Sequence, residues 1–190
     1  GKGRTILRVA SRDTTKAAER QSCERFGGLR RVVHIVEGAP GMIISNLCTE
    51  AGLVNGATCT LLGVVLRKEL RHEPMQDAVS AADVEYVVAH VPKYCGPVIF
   101  PGHPKWVPLA PQSNRHDRAK GLERLQLPLV LAWGLTIHKS QGLTFPDGCV
   151  VDFKRAPNYQ PVAQVGLAFV GMSRSTHWGQ QAFRDLPDFW

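Results

Sequence analysis

Seven prolines between residues 74 and 111 constrain the fold of this chain more than any other feature of its sequence. A proline lacks the backbone N–H and fixes φ, so it interrupts helices and is restricted to the edges of sheets. Short β-like runs at 84–91 and 97–100 lie between the prolines. From about residue 67 to 127, this pattern predicts a small barrel or an irregular β insert, with a polar loop over 112–120.

The residues before this proline-rich segment have an α/β pattern. Asp13 is placed to cap a helix over roughly 14–26, which Gly27 and Gly28 would end. The dipeptide Asn55-Gly56 predicts a hairpin turn. The strands predicted here cover residues 5–10, 31–36, 41–45 and 58–66.

The residues after the proline-rich segment return to an α/β pattern. Pro128 fits the first turn of a helix that extends to Ile137, and a loop over 139–142 would end it. A buried strand is predicted over 149–153. Pro161 then opens a second helix, whose apolar residues recur at helical spacing. These residues are Val162, Val165, Phe169 and Met172.

Composition indicates an ordinary globular protein without a membrane partner. The 190 residues are 44% hydrophobic and 21% charged, and no apolar run is long enough to span a bilayer. Neither an export signal nor a Cys-x-x-Cys pair is present, so we expect an intracellular protein with reduced cysteines and no metal site. Residues 1–31 carry +6 of the net charge of +7, which suits a phosphate backbone or equally a solvated helix face.

Two segments near the C-terminus carry candidate chemistry. Residues 135–144 combine a histidine, a lysine, hydroxyl side chains and a glycine, which together can hold phosphate oxygens. Residues 168–174 end in Arg174 at a predicted helix terminus. The planar guanidinium of an arginine there can reach a neighbouring phosphate.

Five strings in a fixed order carry a family resemblance. They lie at residues 41–47, 52–56, 125–129, 136–142 and 168–174. This order resembles the C-terminal half of the PIF-type (petite integration frequency) helicases of superfamily 1. The resemblance implies a second RecA-like domain, in two parts at 4–57 and 128–190, interrupted at 58–127 by a small β-barrel of the Src-homology type.

The resemblance also implies roles for particular residues. Residues 136–142 correspond to family motif V and 168–174 to motif VI, whose Arg174 is implied to be the arginine finger that stabilises charge on the γ-phosphoryl group. The implied contacts to single-stranded DNA are Asn46, Thr136, His138, Lys139 and Ser140. The implied nucleotide-binding residues are Gln141, Gly142 and Arg174.

ATP and Mg²⁺ are the cofactors that the resemblance implies. The chain contains no phosphate loop of the required spacing, because Gly1-Lys2-Gly3-Arg4-Thr5 does not match it, and no Walker B pair precedes 136–142. We therefore expect a missing N-terminal RecA-like domain of the same protein to hold most of the nucleotide. These residues alone are expected to hold no cofactor and to be inactive.

The function that the resemblance implies is that of the C-terminal motor domain of an ATP-dependent DNA helicase. Family roles in DNA repair, DNA recombination and telomere maintenance go with it, in the nucleus or mitochondrion of a eukaryote or the cytoplasm of a bacterium. The alternative is a non-catalytic module, derived from a helicase, that binds nucleic acid or a protein. Two departures from the family pattern, Ser45 and the pair Asp13-Thr14, concern DNA contacts.

Several candidate residues also have structural interpretations. Arg174 can be a salt-bridged helix terminus, and Thr136 and His138 can support the loop. The string 171–175 is similar to a serine-hydrolase elbow but lacks its final glycine. Tyr94 and Trp106 can stack on bases or belong to the core. Three residues that could be drawn as metal ligands match no common spacing, namely His90, Cys95 and His103.

Overall fold

The computed structural model describes residues 6–70, 77–145, 148–153 and 163–185. The chain divides into two compact units, which we call unit 1 (Gly1–Trp133) and unit 2 (Gly134–Trp190).

The regular secondary structure of unit 1 is mostly short strands joined by turns and loops. Its first half contains β1 (Ile6–Ala10), β2 (Arg12–Asp13), β3 (Val32–Val36), β4 (Pro40–Ile43) and β5 (Thr58–Leu66). Its second half contains β6 (Ala78–Ser80), β7 (Val84–His90), β8 (Trp106–Leu109), β9 (Gln112–Arg115), β10 (Glu123–Gln126) and β11 (Leu129–Leu131). Among the described residues of this unit, helical structure is limited to α1 (Lys16–Glu19) and two 3₁₀ turns, Cys23–Phe26 and Lys68–Leu70.

These strands form three sheets around one core. The largest sheet has the order β11-β4-β5-β7-β8, and the smaller ones have the orders β3-β1-β6 and β2-β10-β9. The β-branched residues of β5 suit its central position. Its register with β7 shifts between Leu61 and Gly63 and again between Val65 and Leu66. Val9, Leu61, Val87, Leu127 and Leu129 are completely buried in the shared core.

The strands of the predicted insert, 58–127, share sheets with strands that precede it and, through β11, with one that follows it. Strand β5 pairs with β4, β6 pairs with β1, and β10 pairs with β2. The break in compactness falls after residue 133 instead of at 57 or 127. The predicted insert is defined by its position along the chain, whereas the two compact units are defined by contacts between residues. The division into units therefore does not test the predicted three-part division, which stays a prediction.

Some local predictions are confirmed and others are wrong. The strands at 5–10 and 58–66 are present, but the strand predicted at 97–100 is absent, and the predicted polar loop at 112–120 begins with β9. The helix predicted after Pro128 is instead β11. Its Leu129 pairs with Ile43 of β4 and is completely buried, so tertiary pairing overrides the helical pattern.

The predicted helix over 14–26 is also different in the structure. It is broken into α1 and a 3₁₀ turn, and its N-terminal cap is Thr15, whose hydroxyl accepts from the Ala18 N–H, instead of Asp13. The predicted end is confirmed, because Gly27 adopts a left-handed conformation with φ of +63°.

Unit 2 is a small α/β arrangement. It contains a 3₁₀ turn (Ile137–Ser140), β12 (Cys149–Asp152), α2 (Ala163–Met172), a second 3₁₀ turn (Trp178–Gln180) and β13 (Gln181–Arg184). Strands β12 and β13 pair in parallel. The strand predicted at 149–153 and the helix through Phe169 are confirmed, whereas Pro161 lies outside the described residues. Within the described part of the chain, no helix has the length and apolar character needed to cross a membrane.

Gly171 permits α2 to lie close against the rest of unit 2. A Cβ atom at this position would lie 2.9 Å from Val151 Cγ1 and 3.7 Å from Ile137 Cδ1. The side of α2 that faces the strand and the 3₁₀ turn therefore has no room for a side chain there. This packing brings the end of α2 beside the loop at 136–145.

Burial also controls the ionisation of one core thiol in unit 1. Burial raises the pKa of Cys59 to about 11, and a hydrogen bond with the Gly41 backbone offsets part of that increase. Cys59 is therefore a neutral thiol near pH 7 and behaves as a small apolar residue.

Candidate functional site

The loop after the 3₁₀ turn of unit 2 is held by its own hydrogen bonds. The Ser140 N–H donates to the Thr136 carbonyl (3.2 Å), and its hydroxyl donates to the Ile137 carbonyl (2.7 Å). The Leu143 N–H donates to the Ser140 carbonyl (3.0 Å). Gly142 has a φ of +74°, a conformation that costs a glycine little, so the sequence supports a tight turn at this point.

Arg174 joins the end of α2 to this loop. Its Nε donates to the Val170 carbonyl (2.7 Å), and its Nη1 donates to the carbonyls of Ser140 and Leu143 (3.1 Å each). In addition, the Phe145 N–H donates to the Arg174 carbonyl (2.8 Å). The two segments singled out from the sequence, 136–142 and 168–174, are therefore in direct contact.

The partners of the Arg174 guanidinium are all electrically neutral. Three are backbone carbonyls, and the fourth is the Ser173 hydroxyl, which accepts from Nη2 at 2.8 Å. None of the ion pairs formed by the described residues includes Arg174. The side chain is half-buried. Its positive charge is thus oriented by dipoles but not neutralised, which is the state in which an arginine can bind an anion.

The other predicted residues of this loop have different surroundings. Thr136, Gln141 and Gly142 are exposed, whereas Ser140 is only 6% exposed and directs its hydroxyl into the loop. The backbones of His138 and Lys139 lie in the 3₁₀ turn, and their side chains are outside the described part of the chain. Direct contacts of these residues with DNA or nucleotide stay predictions.

Asn46, the remaining predicted DNA contact, lies in unit 1. It is exposed, and its Oδ1 accepts a hydrogen bond from the Asn55 N–H at 2.9 Å. Gly56 of the same turn has a φ of +91°. Asn46 therefore stabilises the Asn55-Gly56 turn. The Asn-Gly dipeptide, nine residues later in the sequence, was the signal that could have suggested this structural role.

The alternative chemistries have no support in the described geometry. The Ser173 hydroxyl donates to the Val170 carbonyl (3.2 Å) and accepts from Arg174, and neither of these partners is a base that could activate it. The described residues contain no group of three or more potential metal ligands. Tyr94 is 3% exposed and belongs to the core.

A buried arginine in unit 1 was missed by the sequence reasoning. Arg124 is fully buried, and its Nε donates to Asp13 Oδ1 at 2.7 Å. Its Nη atoms donate to the carbonyls of Leu29 (3.2 Å) and Ala18 (2.9 Å), and its guanidinium lies 4.4 Å from the centroid of the Phe26 ring. The departure from the family pattern at Asp13-Thr14 was the signal that could have suggested this pair, because the Asp13 carboxylate binds Arg124 inside the fold.

The fold has solved counterparts among helicases. The structure aligns with a Pif1 helicase from Candida albicans at a TM-score of 0.66 and 24% identity, covering 96% of this chain and 39% of that one. It aligns with a Bacteroides Pif1 bound to ssDNA at 0.63 and 17% identity, covering 97% and 36%. No protein-family model matches the chain. The architecture is therefore one found in helicases.

Sequence relatives narrow this class to one family. The chain is 30% identical over 155 residues to the zebrafish (Danio rerio) ATP-dependent DNA helicase PIF1, covering 82% of this chain and 20% of the relative. It is 32% identical over 138 residues to the human PIF1 helicase, covering 73% and 17%. The chain belongs to the PIF-type helicase family, and it spans about a fifth of the length of the curated relatives it matches.

Proposed function

We propose that this chain is the second motor domain of an ATP-dependent DNA helicase. In this proposal Arg174 is the arginine finger, and Gln141 and Gly142 lie near the nucleotide. Single-stranded DNA is contacted by Asn46, Thr136, His138, Lys139 and Ser140. ATP and Mg²⁺ are held mainly by an N-terminal RecA-like domain of the same protein. The finer architecture belongs to the same proposal, with 4–57 and 128–190 as the RecA-like parts and 58–127 as a Src-homology-type barrel.

The uncompensated guanidinium of Arg174 is the observation that carries the proposal. An arginine that must stabilise a developing phosphate charge needs a defined position, and it must not be neutralised by a carboxylate. The contacts with Val170, Ser140 and Leu143 meet the first requirement, and their neutrality meets the second. The names of the relatives, and a Bacteroides Pif1 structure in complex with ADP-AlF4, support ATP as the ligand class.

The same contacts suggest how ATP and DNA binding are coupled. Nη1 of Arg174 uses both of its N–H groups on carbonyls of the loop that follows the predicted DNA contacts. A phosphate that attracts this guanidinium competes with those carbonyls, so the loop position depends on the nucleotide state. Hydrolysis would then shift the DNA contact relative to the first motor domain.

The proposal is tested by replacing Arg174 with alanine in the full-length protein that carries these residues. We expect kcat for DNA-stimulated ATP hydrolysis to fall by roughly 10³-fold or more, as for other arginine fingers. We expect the Kd for a single-stranded oligonucleotide to change little. Arg184→Ala is the matched control, because Arg184 is an exposed arginine of the same unit whose acidic partners, Asp152 and Asp185, lie 3.9 and 3.8 Å away.

Undiminished turnover in Arg174→Ala would contradict the proposed role. Full-length protein that binds DNA but hydrolyses no ATP would favour the alternative of a non-catalytic nucleic-acid-binding module. Thermal unfolding of each variant shows whether a loss of turnover reflects a loss of folded protein.

A further inference from the structure

The loop between β7 and β8 of unit 1 presents an aromatic stack to the surface. The rings of His103 and Trp106 are parallel to within 12°, with centroids 3.7 Å apart. Phe100 meets Trp106 at a tilt of 65° and a centroid distance of 6.3 Å. His103 is exposed, and Phe100 and Trp106 are half-buried. The stack therefore extends from the sheet outward and ends at the imidazole.

His103 remains exposed although its ring stacks on Trp106. The residue as a whole is classed as exposed, and Trp106 covers one face of its imidazole. Val98 and Ile99 of the same loop are 59% and 46% exposed. An aromatic face beside apolar groups is the surface on which the bases of single strands stack.

This loop is held in one conformation by its own contacts. The Tyr94 hydroxyl donates to the Pro97 carbonyl (2.9 Å), and the Val91 N–H donates to the Lys105 carbonyl (2.9 Å). The Lys105 ammonium donates to the Tyr94 carbonyl. Gly96 lies so close to the Tyr94 ring that a Cβ there would be 2.5 Å from the hydroxyl oxygen. Such pre-organisation lowers the entropy lost on binding.

The charge of the segment favours an anionic partner, such as a nucleic acid, over a basic or neutral one. Residues 91–110 contain two lysines, Lys93 and Lys105, and neither an aspartate nor a glutamate. A segment with this balance attracts phosphate groups, while its aromatic end can stack on a base.

We propose that His103, supported by Trp106, is a base-stacking site for single-stranded DNA. It would add a contact in unit 1 to the DNA contacts predicted at Asn46 and in the loop that follows Thr136. The inference rests on the proposed function only for the class of ligand. The site would be tolerant of sequence, because every base has a planar face.

The test measures binding of the full-length protein to a fluorescent oligo-dT strand by anisotropy. We expect His103→Ala to raise the Kd by about fivefold or more, the loss that corresponds to one stacked base. His103→Phe, which keeps an aromatic plane, should bind within about twofold of the parent protein on the same scale. His34→Ala is the control, because His34 is an exposed histidine on β3 of the same unit.

A strand of the same length with abasic sites identifies stacking as the cause. It retains the phosphates but has no bases, so His103→Ala and the parent protein should bind it equally. An equal loss on both strands would overturn the proposal, as would an unchanged Kd for oligo-dT. His103→Ala could also leave the Kd unchanged and alter self-association of the protein in sedimentation velocity. That result would mean that the loop contacts a protein, and it would overturn the proposal too.

The two proposals fail separately. His103→Ala should weaken binding to oligo-dT but not to the abasic strand, whereas Arg174→Ala should abolish hydrolysis and keep DNA affinity. Loss of stacking therefore appears in the Kd, and loss of the arginine finger appears in kcat.

Discussion

Each unit organises part of its structure around an arginine. The charge of one arginine is neutralised by a carboxylate, whereas the other has only neutral hydrogen-bond acceptors. Arg124 in unit 1 is completely buried and forms an ion pair with Asp13, whose side chain is also buried. Arg174 in unit 2 is half-buried and forms hydrogen bonds only with carbonyls and one hydroxyl among the described residues. Both side chains are tied to distant parts of their units.

The difference separates a structural arginine from a functional one. A buried charge is tolerated when a carboxylate neutralises it and its donors are satisfied, which is the situation of Arg124. An arginine that must act on a phosphate has to be oriented while it keeps its charge available, which is the situation of Arg174. The set of acceptors, more than the number of hydrogen bonds, distinguishes the two roles.

Replacing Arg124 with alanine should give the largest loss of stability. Asp13 would be left as an unpaired buried carboxylate, and removing one partner of such a pair costs about 3–5 kcal/mol of the free energy of unfolding. The measurement is chemical denaturation followed by circular dichroism. Arg25→Ala is the control, because the Arg25–Asp117 ion pair (3.0 Å) is partly exposed and should contribute about 0–1 kcal/mol.

Equal losses of stability in Arg124→Ala and Arg25→Ala would contradict the structural role assigned to Arg124. They would mean that Arg124 does not neutralise a buried charge and that its contacts resemble those of a surface residue.

Replacing Gly171 with alanine should give a smaller loss that is specific to unit 2. The new Cβ would meet Val151 Cγ1 at 2.9 Å and push α2 away from the loop that Arg174 holds. We expect overpacking to lower the free energy of unfolding by roughly 1–3 kcal/mol. In the full-length protein, kcat for ATP hydrolysis should fall as well, because Arg174 is displaced.

Gly166 provides a matched control in the same helix. It is exposed, and a Cβ there would have no neighbour within 4 Å. Gly166→Ala should therefore raise stability by up to about 1 kcal/mol through helix propensity. A gain in stability from both substitutions, measured by thermal unfolding, would show that the close approach at Gly171 does not position α2.

Local patterns predicted those parts of the fold that short-range chemistry determines. The β-branched run of β5 and the turn signals around it identified both of its ends, Thr58 and Leu66. Gly27 ended a helical segment as its conformational freedom suggested. The apolar spacing through Phe169 and Met172 identified α2, although Phe169 proves to be 73% exposed.

Long-range pairing determined the parts that could not be predicted. Residues after Pro128 have a helical pattern, but they form β11 because β4 offers a pairing edge that is distant in sequence. Asp13 looks like a helix cap locally, but its carboxylate binds an arginine 111 residues away. Ser140 was grouped with DNA contacts by motif position, whereas its burial depends on how the loop closes.

The sequence predicted only part of the contact between the segments 136–142 and 168–174. The sequence placed Arg174 at a helix terminus, and α2 does end two residues earlier, at Met172. That its guanidinium would bind the carbonyls of Ser140 and Leu143 depends on the packing of α2 at Gly171, which no local pattern encodes.

The role of Arg174 is tested most directly by measuring, with calorimetry, how the full-length protein binds two nucleotide ligands. ADP lacks the transferred phosphoryl group, whereas ADP with aluminium fluoride imitates it, and an arginine finger contacts only that group. Arg174→Ala should therefore bind ADP with unchanged Kd and should bind ADP–aluminium fluoride at least about tenfold more weakly than the parent protein. If the parent protein and Arg174→Ala bind the aluminium fluoride complex with equal affinity, the uncompensated charge of Arg174 does not act on the nucleotide.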